Sequence, residues 1–171
     1  SHSPKGSPDG RWLAFLADRG DETQLHAIRL AGGEARPVTR FEQGVSAFEW
    51  SPEGTRFAVA VEEAAEEKEQ RSEKYGSFEV EDQEYRQTHL WLIDFEPGRP
   101  EPFESPESEE ESSDPDEGPP GSRRLTGGDL TIVDFEWSPD GSRIVVQHQP
   151  DPLINSFFDS DISILRVEDG E

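Results

Sequence analysis

Hydrophobic and polar positions along the chain follow a period of two over short stretches, broken by turn residues. Val45-Ser46-Ala47-Phe48-Glu49-Trp50 alternates, placing Val45, Ala47 and Glu49 on one face and Ser46, Phe48 and Trp50 on the other, as a half-buried strand requires. Arg56 to Val61 is nearly continuous apolar sequence, which predicts a strand covered on both faces. Between the two lies Ser51-Pro52-Glu53-Gly54. The same unit occurs as Ser7-Pro8-Asp9-Gly10, ahead of the apolar run from Trp12 to Phe15. It recurs as Ser138-Pro139-Asp140-Gly141 between Ile132–Trp137 and Arg143–Val146. Proline presets φ for the second position of a type I turn, the acidic residue suits the third, and glycine accepts the left-handed conformation that follows. Each unit is therefore predicted to close a hairpin.

Further strands follow in the same order each time. Third strands are predicted at Leu25–Leu30, His89–Asp94 and Asp161–Val167, trailed by Gly32-Gly33, Pro97-Gly98 and Asp169-Gly170. Short closing strands are predicted at Arg36–Thr39 and Arg123–Thr126. The first two turns are 44 residues apart and the last two 87, so removing an insertion of roughly 40 residues restores one period. A period near 40–45 with four antiparallel strands per unit is the signature of β-propeller blades. The expected fold is all-β, a partial β-propeller of about three four-stranded antiparallel blades. Blade one spans 7–39 and lacks its first strand, with residues 1–6 set aside as foreign to the repeat. Blade two spans 45–126, with insertions at 62–87 and 96–122. Blade three spans 130–167 and lacks its last strand. About ten strands cannot close a ring without exposed edges, so the expectation is a piece of a larger propeller.

Composition narrows the chemistry. Only 30% of the 171 residues are hydrophobic, and the net charge of −23 argues against nucleic acid and anionic membrane surfaces as partners. Residues 62–87 carry −6 and residues 94–122 carry −10, so most of the excess lies in the two insertions. Such Pro-, Ser- and Glu-rich sequence cannot bury enough apolar surface to offset the entropy of ordering it. The 94–122 segment reads as a flexible, solvated surface loop, the alternative being an acidic docking segment. The absence of cysteine excludes disulfides, thiolate metal sites and a cysteine nucleophile. No apolar run is long enough to span a membrane as a helix.

Candidate catalytic residues are missing. No Gly-x-Ser-x-Gly elbow occurs, and the serines of the three Ser-Pro units read as turn starters. The four histidines show no metal-ligand spacing, with His26 and His89 at similar blade positions and expected to pack or face solvent. Asp9-Gly10 and Asp140-Gly141 do not match sialidase Asp boxes, which place a residue between Asp and Gly. Trp50, Trp91 and Trp137 read as packing between blades, or else as aromatic platforms for carbohydrate. No cofactor is implied. The segment from Gln149 to Phe158 is longer and more apolar than a tight hairpin needs. Leu153, Phe157 and Phe158 are therefore candidates for touching a substrate peptide, or for packing against a neighbouring blade or domain.

Trp-Ser-Pro-Asp-Gly-x-Arg before an apolar strand, with Leu90-Trp91-Leu92-Ile93-Asp94 and Arg124-Leu125-Thr126, resembles the PD40 (TolB-type) propeller repeat over about 110 residues. Phe78–Arg86 running into Gln87-Thr88-His89-Leu90-Trp91, after a Glu/Lys-rich insertion, is similar to acylaminoacyl-peptidase-like members of the prolyl oligopeptidase (S9) family. That resemblance implies a non-catalytic propeller portion of a serine peptidase. Its implied partners are further blades, a C-terminal α/β-hydrolase domain and short peptides, whose access it gates. The alternative is a TolB-like scaffold for protein–protein interaction. A cytoplasmic location goes with the first reading and a periplasmic one with the second.

Three lysines beside so large an acidic excess fit either a halophilic source or an arginine-favouring, GC-rich genome. A melting temperature that climbs through a KCl series supports the first; one indifferent to salt supports the second.

Overall fold

The computed structural model describes residues 2–18, 22–63, 85–96 and 118–168. Most of both acidic insertions therefore lies outside the described residues. Among those described, the secondary structure is strand apart from one 3₁₀ turn, Ile154–Asp159. The first sheet joins β1 (His2–Gly6), β2 (Trp12–Asp18), β3 (Thr23–Arg29) and β4 (Arg36–Pro37) in sequence order. The second joins β5 (Val45–Trp50), β6 (Arg56–Glu62), β7 (Thr88–Asp94) and β8 (Ser122–Arg124). The third joins β9 (Thr131–Trp137), β10 (Arg143–Gln149) and β11 (Asp161–Arg166). All pairings are antiparallel between neighbours in the chain.

One expectation is corrected. Blade one does not lack its first strand, because residues 2–6 form it, pairing Lys5 with Ala14 and Gly6 with Leu13. His-Ser-Pro-Lys-Gly has no apolar alternation to announce a strand. It is held by backbone pairing and by side chains of the next sheet. A register shift between His2 and Lys5 accommodates Pro4, which has no N–H to give the ladder, and Ser3 there has φ of 55°.

The sheets stack face to face, and alternation along the strands decides which side chain enters which layer. Phe57, Val59 and Val61 of β6, with Trp91 and Ile93 of β7, pack with Trp12, Ala14, Leu16, Leu25 and Ala27 of the first sheet. The residues between them, Ala58, Ala60, Leu90 and Leu92, pack instead with Ile132, Phe135, Trp137, Ile144 and Val146 of the third. The middle sheet is thus apolar on both faces because both are covered, and Arg56–Val61 reads as an unbroken apolar run for that reason. Trp50, Trp91 and Trp137 all lie in these layers. Aromatic edges lock the first seam, with Trp12 and Trp50 each edge-on to Phe95 at 5.3 and 5.2 Å between ring centres.

The closing strands are held partly by a side chain. Thr39 Oγ1 accepts the N–H of Leu25 at 2.9 Å, and Thr126 Oγ1 accepts that of Leu90 at 2.8 Å. Val38 and Leu125 donate their N–H to the carbonyls of the same two leucines, at 2.7 and 2.8 Å. The recurrent Val/Leu-Thr is therefore a ladder end in which a hydroxyl replaces a carbonyl. Thr39 also donates to Gln24 Oε1 at 2.8 Å.

Thr39→Val keeps the shape and deletes the acceptor, leaving the buried Leu25 N–H unsatisfied. Denaturant unfolding is expected to show a loss of about 1–3 kcal/mol. Serine at the same position restores most of it.

Candidate functional site

The three Ser-Pro-acid-Gly turns have one construction. Each glycine donates its N–H to the carbonyl of the serine that opens its turn at 2.9 Å, with φ of 68°, 72° and 69° at Gly10, Gly54 and Gly141. The left-handed backbone is why glycine holds that place. Each serine then joins turn to strand. Ser7 Oγ accepts the N–H of Trp12 at 2.9 Å, Ser51 Oγ that of Arg56 at 3.1 Å, and Ser138 Oγ that of Arg143 at 3.0 Å. In the first and third turns the same hydroxyl donates to the acid two residues on, Asp9 and Asp140, at 2.6 Å. Asp9 also accepts from the N–H of Arg11 and Asp140 from that of Ser142, each at 3.0 Å. The hydroxyls of Ser7 and Ser138 thus both accept and donate within their turns, and that of Ser51 accepts from its own strand, so all three serve the turn structure.

These bonds set the acidity of the turns. The Ser7 hydroxyl and the Arg11 N–H hold Asp9 below the usual carboxylate range. Asp140, bonded by the Ser138 hydroxyl and by the Ser142 N–H and hydroxyl, falls to about 2. Glu53, one methylene longer, reaches Arg56 Nη2 at 2.6 Å instead. Partial burial opposes its ionisation, but Arg56 and the local backbone together leave its pKa lowered.

The turns also touch one another. A methyl group on Gly54 would lie 3.3 Å from Pro8 Cδ, and one on Gly141 would lie 2.5 Å from Glu53 Oε2. Pro8, Pro52 and Pro139 therefore mark successive steps along one rim. The first strands are tied across the seam by an ion pair between Lys5 and Glu49, and by Trp50 Nε1 donating to the Lys5 carbonyl at 3.1 Å. Sheets two and three are tied at the turn rim by Arg123, which donates to the carbonyls of Val167 and of Glu168, the latter at 3.0 Å.

At the opposite rim, the connection from β10 to β11 carries the predicted loop candidates. Asp151 organises it, accepting from the N–H of Leu153 at 3.0 Å and the hydroxyl of Ser156 at 2.6 Å. Gln87 Nε2, from the middle sheet, donates to the Pro150 carbonyl at 2.7 Å, and the N–H of Thr88 to Thr131 Oγ1 at 3.0 Å. Leu153 is half-buried and Phe158 is exposed, while the side chain of Phe157 lies outside the described residues. His26 and His89 are both buried, on the faces of their strands turned away from the following sheet. His26 stacks on Phe15, and its Nδ1 donates to the Gln24 carbonyl at 3.1 Å. Among the described residues no group of His, Asp and Glu is placed to hold a metal ion. Lys5, Gln87 and Arg123 escaped the sequence reading. Residues 1–6 carry no pattern, and the other two act on backbone carbonyls of the next sheet, which leave no trace in side-chain spacing.

Comparison with solved structures fits this geometry. TolB of Agrobacterium tumefaciens superposes with a TM-score of 0.58 at 13% identity, over 97% of this chain and 45% of that one. The acylaminoacyl peptidase of Pyrococcus horikoshii gives 0.54 at 18% identity, over 97% of this chain and 23% of that one. The fold is a partial β-propeller. Its structural neighbours are TolB-like propellers and the propeller domains of S9 peptidases. By sequence, the chain is 50% identical over 62 residues to the uncharacterized peptidase YuxL of Bacillus subtilis (strain 168). That match takes in 36% of this propeller chain and 9% of YuxL. No family model matches. The chain spans under half the length of each of these proteins.

Asp140 tests the electrostatics of the turns. Its folded pKa of about 2 lies below the ordinary aspartate value of 3.8, so its stabilising effect is complete above about pH 4. The effect disappears as pH falls through about 2. Asp140→Asn is expected to lower the melting temperature at neutral pH and to converge with the parent chain near pH 2. A gap of constant size across that range would show that the carboxylate's charge plays no part.

Proposed function

We propose that this chain is the non-catalytic propeller portion of an S9-type serine peptidase, controlling the access of short peptides to an α/β-hydrolase domain elsewhere in the polypeptide. The observation that carries the reading is the 50% identity over 62 residues to a protein described as a peptidase, far above the identity shared with any propeller neighbour cited above. Ser7 and Ser138, committed to backbone and aspartate, agree with a role that leaves the reaction to another domain. Selection by a propeller is steric. A stack of sheets tied at both rims admits an extended peptide and turns away a folded chain, and closure keeps bulk water from the reacting bond. In this reading the loop carrying Leu153, Phe157 and Phe158, anchored by Asp151 and Gln87, presents apolar side chains to a peptide or to the hydrolase domain.

A TolB-like scaffold is the second reading, favoured by the TM-score of 0.58 with TolB. The two separate in the full-length protein. Under the first, that protein hydrolyses short peptide reporters and spares folded substrates, while the chain alone hydrolyses neither. Arg123→Ala, which releases a tie between sheets two and three, leaves short-peptide turnover within about twofold and admits longer peptides. No hydrolysis of any peptide by the full-length protein rejects the gate and leaves the scaffold.

A further inference from the structure

Two of the three turns set aspartate before glycine, at Asp9-Gly10 and Asp140-Gly141. Such a pair can rearrange without an enzyme, because glycine brings its nitrogen to the side-chain carboxyl with no side chain in the way. The nitrogen bonds to Cγ, and its proton leaves with the carboxyl hydroxyl as water. Solvent water then reopens the five-membered imide at the α-carbonyl, so the main chain runs through Cγ and a free carboxylate sits on Cα. One water departs and one enters, and nothing is oxidised or reduced. A third such pair, Asp169-Gly170, lies outside the described residues.

The same dipeptide in the same turn has two different surroundings. At both, the glycine N–H goes to the serine carbonyl at 2.9 Å, and the carboxylate accepts from the serine hydroxyl at 2.6 Å and from the N–H two residues on at 3.0 Å. Asp140 accepts a further bond, from the Ser142 hydroxyl at 2.8 Å. The residue equivalent to Ser142 is Arg11, whose Nε stands 3.8 Å from Asp9 Oδ2 in an exposed pair that holds little. The glycines differ more. Gly10 is exposed, and a methyl group there would meet nothing within 4 Å. Gly141 is buried beneath the Glu53 carboxylate of the preceding turn. That carboxylate opposes loss of the Gly141 N–H proton, since two negative charges would then adjoin, and it fills the space into which the nitrogen would swing. The middle turn, touched by Pro8 on one side and by Gly141 on the other, carries Glu53, whose imide ring is larger and closes far more slowly.

We infer that Asp9-Gly10 is a covalent modification site of the folded chain, converting spontaneously to isoaspartate through a cyclic imide, and that its counterpart Asp140-Gly141 is held back by Ser142 and by the cover of Glu53. After weeks at neutral pH, tryptic peptides of the folded chain are read by electron-transfer fragmentation, which separates the two linkages. Isoaspartate at Asp9 is expected to build up roughly three- to tenfold faster than at Asp140, the effect of about one hydrogen bond on opening of the turn. In urea the two rates fall within about twofold of each other, because the surroundings are gone. Glu53→Ala uncovers Gly141 and raises the rate at Asp140 without raising that at Asp9. Arg11→Ser gives the first turn the further hydroxyl and slows Asp9. Denaturant midpoints put all the chains at the same folded fraction for the comparison.

Equal rates in the folded chain, or a faster one at Asp140, overturn the inference. A difference that persists undiminished in urea overturns it as well, assigning the effect to flanking sequence instead of to the turn. None of these readouts involves peptide cleavage, so the site stands or falls apart from the peptidase reading.

Discussion

Each sheet here has two faces, and no α-helix among the described residues lies over either of them. The apolar side chains of one sheet can leave water only against the next sheet, and that constraint organises the molecule. The middle sheet shows it most clearly, with Phe57, Val59 and Trp91 on one side and Ala58, Leu90 and Leu92 on the other. Burial near 25 cal/mol per Å² of apolar surface makes these seams the dominant stabilising term, and ties such as Lys5 to Glu49 orient the stack more than they hold it.

Directionality comes from groups that satisfy backbone polarity where a regular ladder stops. A serine hydroxyl takes the first strand N–H after each Ser-Pro turn, and in the first two sheets a threonine hydroxyl takes a third-strand N–H at the outer edge. Both use small residues whose side-chain oxygen stands in for a backbone carbonyl, so the outermost and tightest parts of the sheet lose no hydrogen bond. Glu53 shows how much latitude remains. Its extra methylene carries it away from the turn serine to Arg56, and the hairpin keeps its backbone form.

Much of this architecture was legible before any coordinates. The recurring turn, the alternation of Val45–Trp50 and the run Arg56–Val61 identify hairpins because period and turn chemistry are local properties. The strand at residues 2–6 was not legible, since Pro4 and Gly6 bury nothing and pairing with β2 is a long-range matter of backbone. The ties made by Gln87 and Arg123 stayed hidden because their acceptors are carbonyls, which every residue has. Of the candidate site, the turn residues follow from local turn chemistry, while their internal bonding emerged only in three dimensions. Placing Phe157 and Phe158 on the loop after β10 needed only the strand order, whereas the anchoring of that loop by Asp151 needed geometry.

Both acidic insertions leave from strand ends: one between β6 and β7, the other between β7 and β8. They leave at opposite rims, and the chain returns in register, with Val61 beside His89 and Ile93 beside Ser122. Lengthening such a connection costs only logarithmically in closure entropy. Evolution can therefore tune the size and charge of each rim separately, one decorated apart from the other, while the stacked framework is inherited unaltered.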